Sequence, residues 1–389
     1  MVQMHKASFP KVILAAFFLV LFANLSGQEK KAVTLKGYIT EMYSVIFDSL
    51  SGAFINDNLI HNRLNLNAYA GAHLSAAIEL RNRIFTGDIV RLNPDYAKMT
   101  GYDQGLVDMS WNISNESSFL INTTVDRMYF DLNFEKFQAR VGRQRINWGQ
   151  AMVWNPNDIF NAYSFFDFDY VERPGSDAIR LQYFPSYSSV LELTFKGDAG
   201  NNITAAGLWR FNKWGYDIQF LGGYVNSEDI VIGTGWSGAI GSYSFRGEAS
   251  WFQPQKDFSD TTGVGLFTIG FDKIFRDNSM AQLQVMYCTD PIDLGSFSSL
   301  YFGTMSSKDL AFSKFTAFGQ FTYAAAPLIN LTIAAMWFPD LEGYFAGPSF
   351  DYSIAENLDF SVIWQHFQGN PDEERLNLNL CFLRFKYSF

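Results

Sequence analysis

Residues 124–148 constrain the chain more than any other stretch. In their first half Met128, Phe130, Leu132 and Phe134 alternate with Arg127, Tyr129, Asp131 and Asn133. A tight Glu135-Lys136 connection follows. Phe137, Ala139 and Val141 then alternate with Gln138, Arg140 and Gly142. A period of two sends alternate side chains to opposite faces of a sheet, so this is a β-hairpin with one oily and one arginine-rich face. The same alternation recurs along the chain. The chain is 48% hydrophobic and 17% aromatic, yet beyond residue 28 no apolar run reaches the ~20 residues a spanning helix needs. Oily faces on strand after strand, with no helical span, fit a closed barrel with lipid outside and water inside.

The N-terminus carries an export signal. Lys6 and Lys11 precede the apolar run 12–22, and Ser26-Gly27 supply the small residues of a cleavage site. The expected division is a cleavable signal peptide at 1–27 and one barrel domain at 28–389. Removing Lys6 and Lys11 takes the formal charge from −10 to about −12, an acidity that argues against nucleic-acid binding. Cys288 and Cys381 lie far apart and read as free thiols.

Along the chain, alternating segments are joined by connections that are short and long in turn. The pattern predicts an all-β, antiparallel up-and-down transmembrane barrel of about eighteen strands, with sixteen as the alternative. The first strand covers 33–46, and the long connections are 86–116, 149–175 and 289–309. The short turns all fall on one side, as expected of periplasmic turns opposite external loops. In the last strand Leu383, Phe385, Tyr387 and Phe389 share a face. This resembles the signal by which outer-membrane barrels engage their assembly machinery. Leu376, Leu378 and Leu380 stand in the opposite phase, which a bulge near Cys381 would repair.

Basic residues collect on the polar face of the first half: Arg63, Arg81, Arg83, Arg127, Arg140, Arg143, Arg145 and Arg180. Arginine stays charged and offers a fixed fork of donors, so such a ladder on a pore wall would guide anionic or polyhydroxylated solutes. Pairing with carboxylates such as Glu79 and Asp131, to brace the wall, is the competing reading. Arg143 and Arg145 are out of phase with Arg140, and a bulge at Gly142 would return them to the lumen. The connection 149–175 is the candidate constriction. It holds Asp158, Asp167, Asp169 and Glu172 among Trp154, Phe160, Tyr163, Phe165, Phe166 and Tyr170. Folded inward, it would set acidic groups against the basic wall and create a transverse field. The alternative is an external cap packed on its own aromatics. His5, His61, His73 and His366 have no partner at metal or nucleophile spacing, so neither an enzyme nor a cofactor is expected.

The run Gly142-Arg143-Gln144, then Asn147-Trp148-Gly149, Asn155-Pro156-Asn157-Asp158 and Gly175-Ser176-Asp177-Ala178 resembles porin-like outer-membrane barrels of Gram-negative bacteria, of the anion-selective and alginate-export kind. The resemblance is concentrated in residues 120–185. It implies a barrel, passive solute passage and a loop after the Trp-Gly corner that narrows the pore, and it carries Arg143 and Asp158 over as charged residues of the pattern. The expectation is an outer-membrane channel for small polar or anionic solutes, monomeric or trimeric, with outer-membrane lipid around it. The alternative is a barrel with a blocked lumen that binds glycan or protein at its surface.

Overall fold

Alternation becomes strand pairing throughout the computed structural model, which describes residues 32–163, 165–166, 172–256, 258–293, 306–370 and 375–389. The first strands are β1 (Val33–Phe47), β2 (Ile55–Ala70), β3 (Leu74–Gly87), β4 (Ser110–Asn115), β5 (Phe119–Asn133) and β6 (Phe137–Gln144). There follow β7 (Ser176–Ser186), β8 (Ser189–Gly197), β9 (Ile203–Lys213), β10 (Tyr216–Val225), β11 (Asp229–Ile240) and β12 (Tyr243–Pro254). The last are β13 (Val264–Ile274), β14 (Met280–Cys288), β15 (Phe315–Ala326), β16 (Ile329–Phe338), β17 (Gly343–Ala355), β18 (Leu358–Gly369) and β19 (Leu376–Ser388). All lie in one antiparallel sheet, and β1 pairs with both β2 and β19. Closure leaves no edge, so every wall strand finds its backbone partners within the sheet, as a hydrocarbon surrounding demands.

The short β4 lies beside the upper half of β5, and β6 beside the lower half. Setting β4 aside, the wall has eighteen strands. Turn chemistry closes the hairpins where the backbone requires it. Between β9 and β10, Trp214 and Gly215 both have positive φ (56° and 79°), the two-residue geometry that follows the twist of the flanking strands.

The outer surface is apolar. Leu283 is 64% exposed and Ile232 63%, while Thr194 and Gln219 on inward rows are fully buried. Trp251, Tyr287, Trp337 and Trp364 are outward near the long-connection end, and Tyr183, Trp209, Tyr243 and Tyr387 near the short-turn end. Two aromatic belts of this kind suit the two interfaces of a bilayer.

Four details differ from the expectation. First, the hairpin strand expected to run to Trp148 ends at Gln144, and Ile146 and Trp148 leave the wall and are buried. Second, the connection 86–116 holds two short helices (Asp88–Leu92 and Tyr96–Gly101) as well as β4. Third, no register shift occurs near Cys381; Leu376, Leu378 and Leu380 keep the inward phase and join an apolar core inside the barrel. Fourth, the bulge expected at Gly142 lies in β5, where Asp126 is the extra residue opposite Glu79 and Leu80. Gly142 pairs in register with Tyr129 but at φ 120°, and a Cβ there would strike the Met128 carbonyl. The proposed signal peptide, 1–27, lies outside the described residues.

Candidate functional site

The connection that leaves β6 at Arg145 crosses the barrel interior. Inward side chains of distant strands hold its backbone. The Glu248 carboxyl on β12 accepts bonds from the Gln150, Ala151 (2.7 Å) and Asn157 (2.9 Å) N–H groups. Gln284 on β14 accepts from Val153 N–H (2.9 Å) and donates to the Trp154 carbonyl (3.0 Å). Gln219 on β10 donates to the Trp148 carbonyl (2.7 Å), and the Trp148 indole donates to Glu192 on β8 (2.8 Å). A loop carries backbone donors that strands would otherwise satisfy; here the wall satisfies them.

Apolar packing adds to these bonds. Trp148 meets Phe160 edge-on with ring centres 4.9 Å apart. Trp154 and Phe165 pack on inward Phe318 of β15, and Phe166 packs on Phe345 of β17 (5.3 Å). Leu266, Met286, Met336 and Phe367 extend this core along the wall. Each fully buried large side chain stabilises the inward position by roughly 1.5–3 kcal/mol. Part of the interior is therefore apolar and filled by protein, where alternation alone suggested a wholly polar lumen.

The motif residues fasten this segment. Asn161 accepts from Ile146 N–H (2.9 Å) and donates to the Pro174 carbonyl (2.9 Å), tying the two ends of the excursion. Asn155-Pro156-Asn157-Asp158 forms a turn closed by Asp158 N–H to the Asn155 carbonyl (3.0 Å). Arg143 is only 4% exposed in its side chain; it bonds Asp177 (2.7 Å), Asp103 (2.6 Å) and the Val107 carbonyl (2.7 Å). It clamps the 103–107 segment to β7 and does not face the interior space, contrary to its expected place on a pore wall. Asp158 is likewise buried within the loop. Trp148 N–H approaches one of its oxygens at 3.4 Å, and the other has no hydrogen-bond partner among the described residues. Burial pushes this carboxyl up to about 8, opposed by Arg145. It is buried in the loop's own packing and does not face open interior space, where an acidic constriction group was expected. Asp167, Asp169 and Tyr170 lie outside the described residues.

Glu172 is the acidic loop residue that meets the basic wall. Its carboxylate accepts from the Tyr38 hydroxyl (3.1 Å) and lies 3.9 Å from Arg63. Its carbonyl accepts from Arg127 (2.6 Å) and Arg145 (3.4 Å). Arg63 is fully buried between Asp126 and Glu79, and Arg81 stands 3.4 Å from Asp126. Arg83 bonds Asn122 (2.6 Å) and the Thr100 carbonyl. Arg145 and Arg173 lie over the Tyr163 ring.

A second set of arginines lines the interior more openly. Arg140 pairs with Asp131 (2.6 Å) and is 22% exposed; Arg180 holds Glu192 through two 2.7 Å bonds and is 18% exposed. The two are cross-strand neighbours. Arg246 with Asp272, and Arg384 near Asp351, continue the set on β12 and β19. Arg210 on β9 bonds only Gln219 (2.7 Å) among the described residues. The carboxylates that meet these arginines come from the wall itself. These pairs brace the wall, and each arginine keeps part of its side chain exposed. Sequence reasoning did not single out Arg210, Arg246 and Arg384 as lining groups. The signal that would have found them is the same two-residue phase on β9, β12 and β19. Nothing in the sequence marked Glu248, Gln284, Gln219 and Glu192 as the anchors of a segment 44 to 131 residues away, because a lone polar residue on an alternating strand is ordinary.

A family described as a protein of unknown function (DUF1302) matches residues 122–291. No match was found among curated proteins. Solved structures share the architecture. The outer membrane protein OprD from Pseudomonas aeruginosa is 8% identical, with a TM-score of 0.58 over 92% of this chain and 93% of its own. OpdL of the same organism is 9% identical, with a TM-score of 0.56 over 92% and 98%. Acinetobacter baumannii OccAB3 is 11% identical, with a TM-score of 0.54 over 91% and 99%. At such identities the likeness shows the fold alone, a closed antiparallel β-barrel.

Proposed function

We propose that this barrel sits in a bacterial outer membrane and passes small polar or anionic solutes by passive diffusion. The observation that carries the reading is the inward arc of Arg140, Arg180 and Arg210, partly exposed beside a loop tethered across the interior. Charged side chains on a pore wall raise the local concentration of oppositely charged solutes and lower their entry barrier. Wall carboxylates neutralise Arg140 and Arg180 in part, so Arg210, held only by an amide, gives the arc its net positive character. Outward Leu383, Phe385 and Tyr387 on β19 fit engagement by barrel-assembly machinery during insertion.

The experiment is single-channel recording in planar bilayers. Purified, folded protein gives discrete conductance steps with anion preference. Replacing Arg140, Arg180 and Arg210 together by Gln shifts the reversal potential under a salt gradient towards cations. Unchanged potentials would reject the arginine arc. The apolar core around Trp154, Phe166 and Phe345 favours a second reading, a blocked barrel whose external surface binds glycan or protein. Absence of any ion current selects that reading over the channel.

A further inference from the structure

We infer that the outward face of β2, β3 and β5 is where a second copy of this chain docks, side by side in the membrane. Register sets Asn62 opposite Asn82 and Asn82 opposite Thr123, so three polar side chains form one row on the outside of the wall. Along each strand the next outward residues are apolar on both sides. Ile60, Ile84 and Ile121 flank the row towards the long connections; Leu64 and Leu80 flank it towards the short turns, where Val125 beside them is buried. The row therefore lies within the apolar band, not at its rim. Thr123 donates to Asn82 (2.8 Å), Asn82 to Asn62 (3.2 Å) and Asn62 to the Tyr38 carbonyl (3.0 Å). Each amide thus donates one N–H, and the second N–H of Asn62 and of Asn82 has no bond among the described residues. Glu41 faces the same way on β1, between exposed Ile39 and Tyr43, and accepts from Asn58 (2.6 Å).

Hydrocarbon offers such groups nothing, so polar side chains at membrane depth mark protein contacts. On the far side of the barrel, outward Phe267, Ile269, Leu283 and Tyr287 suit lipid. Depth argues for a second copy as the occupant. Barrels of one sequence insert in one orientation, so a rotation axis along the membrane normal brings this polar row against its own equivalent at the same height. Carboxamides carry both donors and acceptors and are self-complementary across such an axis. On β4, exposed Trp111 (opposite Thr123) continues the row, and Ile113 extends the exposed face beyond it. The inference rests on the membrane reading of the barrel, not on solute passage.

The test is cross-linking in outer-membrane fragments from expressing bacteria. In a Cys381→Ser background, Asn82→Cys with a short bis-maleimide gives a band of twice the chain mass, several-fold stronger than Leu283→Cys on the opposite face. In mild detergent, light scattering finds the native protein as a dimer or larger, and Asn62→Leu with Asn82→Leu and Thr123→Val as a monomer that keeps its heat-modifiable barrel mobility. Equal cross-linking at the two positions, a native monomer, or an adduct with a chain of different mass would overturn the second copy while leaving the membrane reading standing. Protein recovered without detergent would overturn both.

Discussion

Asp158 buries a carboxyl with one oxygen unpartnered among the described residues, in a segment otherwise held by bonds from all sides. Burial raises it to about 8, far above its unfolded value near ~3.9. The sign follows from proton counts. Between those two values the folded state holds a proton that the unfolded chain gives up, so stability falls as pH rises through this window and the loss is complete above about 8. The cost is roughly 1.4 kcal/mol for each unit by which the carboxyl stays raised. Asp158→Asn, uncharged at every pH, is expected to flatten this slope, to melt well above the native protein at pH 9 and to converge with it near pH 4. Thermal unfolding in detergent at the two pH values checks it; parallel curves would mean Asp158 is solvated. The contrast between Arg140 and Arg143 belongs to the same scale. Both read as polar-face arginines in sequence. Asp103 and the Val107 carbonyl upstream, with Asp177 downstream, bury one of them, and a chain read locally does not contain those contacts.

Among elements, the segment after β6 separates two kinds of information. Wall strands were legible because a wall with two unlike faces imposes a period of two on each residue, and β1, β10 and β14 follow the alternation almost to the residue. The inward segment has no period. Its place is set by Glu248, Gln284, Phe318 and Phe345, each of which looks unremarkable in its own strand. The same cause explains Leu376, Leu378 and Leu380. The alternation points apolar side chains outward, and that rule fails wherever a loop brings an apolar surface inside. The helices in 88–101 and the strand β4 were missed for a related reason, since both settle against wall already built. If the tethered segment narrows the path, replacing 149–163 by a short Gly/Ser linker leaves wall pairing intact and raises unit conductance several-fold. Conductance at the native level would show that this segment does not limit flow.

The whole molecule inverts the usual arrangement of a soluble protein, with its broadest apolar surface outside and a smaller apolar core, shared between wall and loop, within. Outside and inside therefore respond differently to the same charge. Leu283 on β14 is outward and exposed, and its neighbour Gln282 is inward and mostly buried beside Gln320. An arginine at a lipid-facing midplane position costs ~2–4 kcal/mol, falling towards zero at the interfaces. An arginine on the inward row keeps access to water and to carboxylates such as Asp272, the cross-strand partner of Gln282. Leu283→Arg is thus expected to lower folding stability in lipid vesicles by about 2–4 kcal/mol, and Gln282→Arg by less than half of that. Urea titration of the tryptophan signal in vesicles measures both. Equal losses, or a larger loss at Gln282, would mean that the apolar rows do not face hydrocarbon, and the membrane reading of the barrel would fail with them.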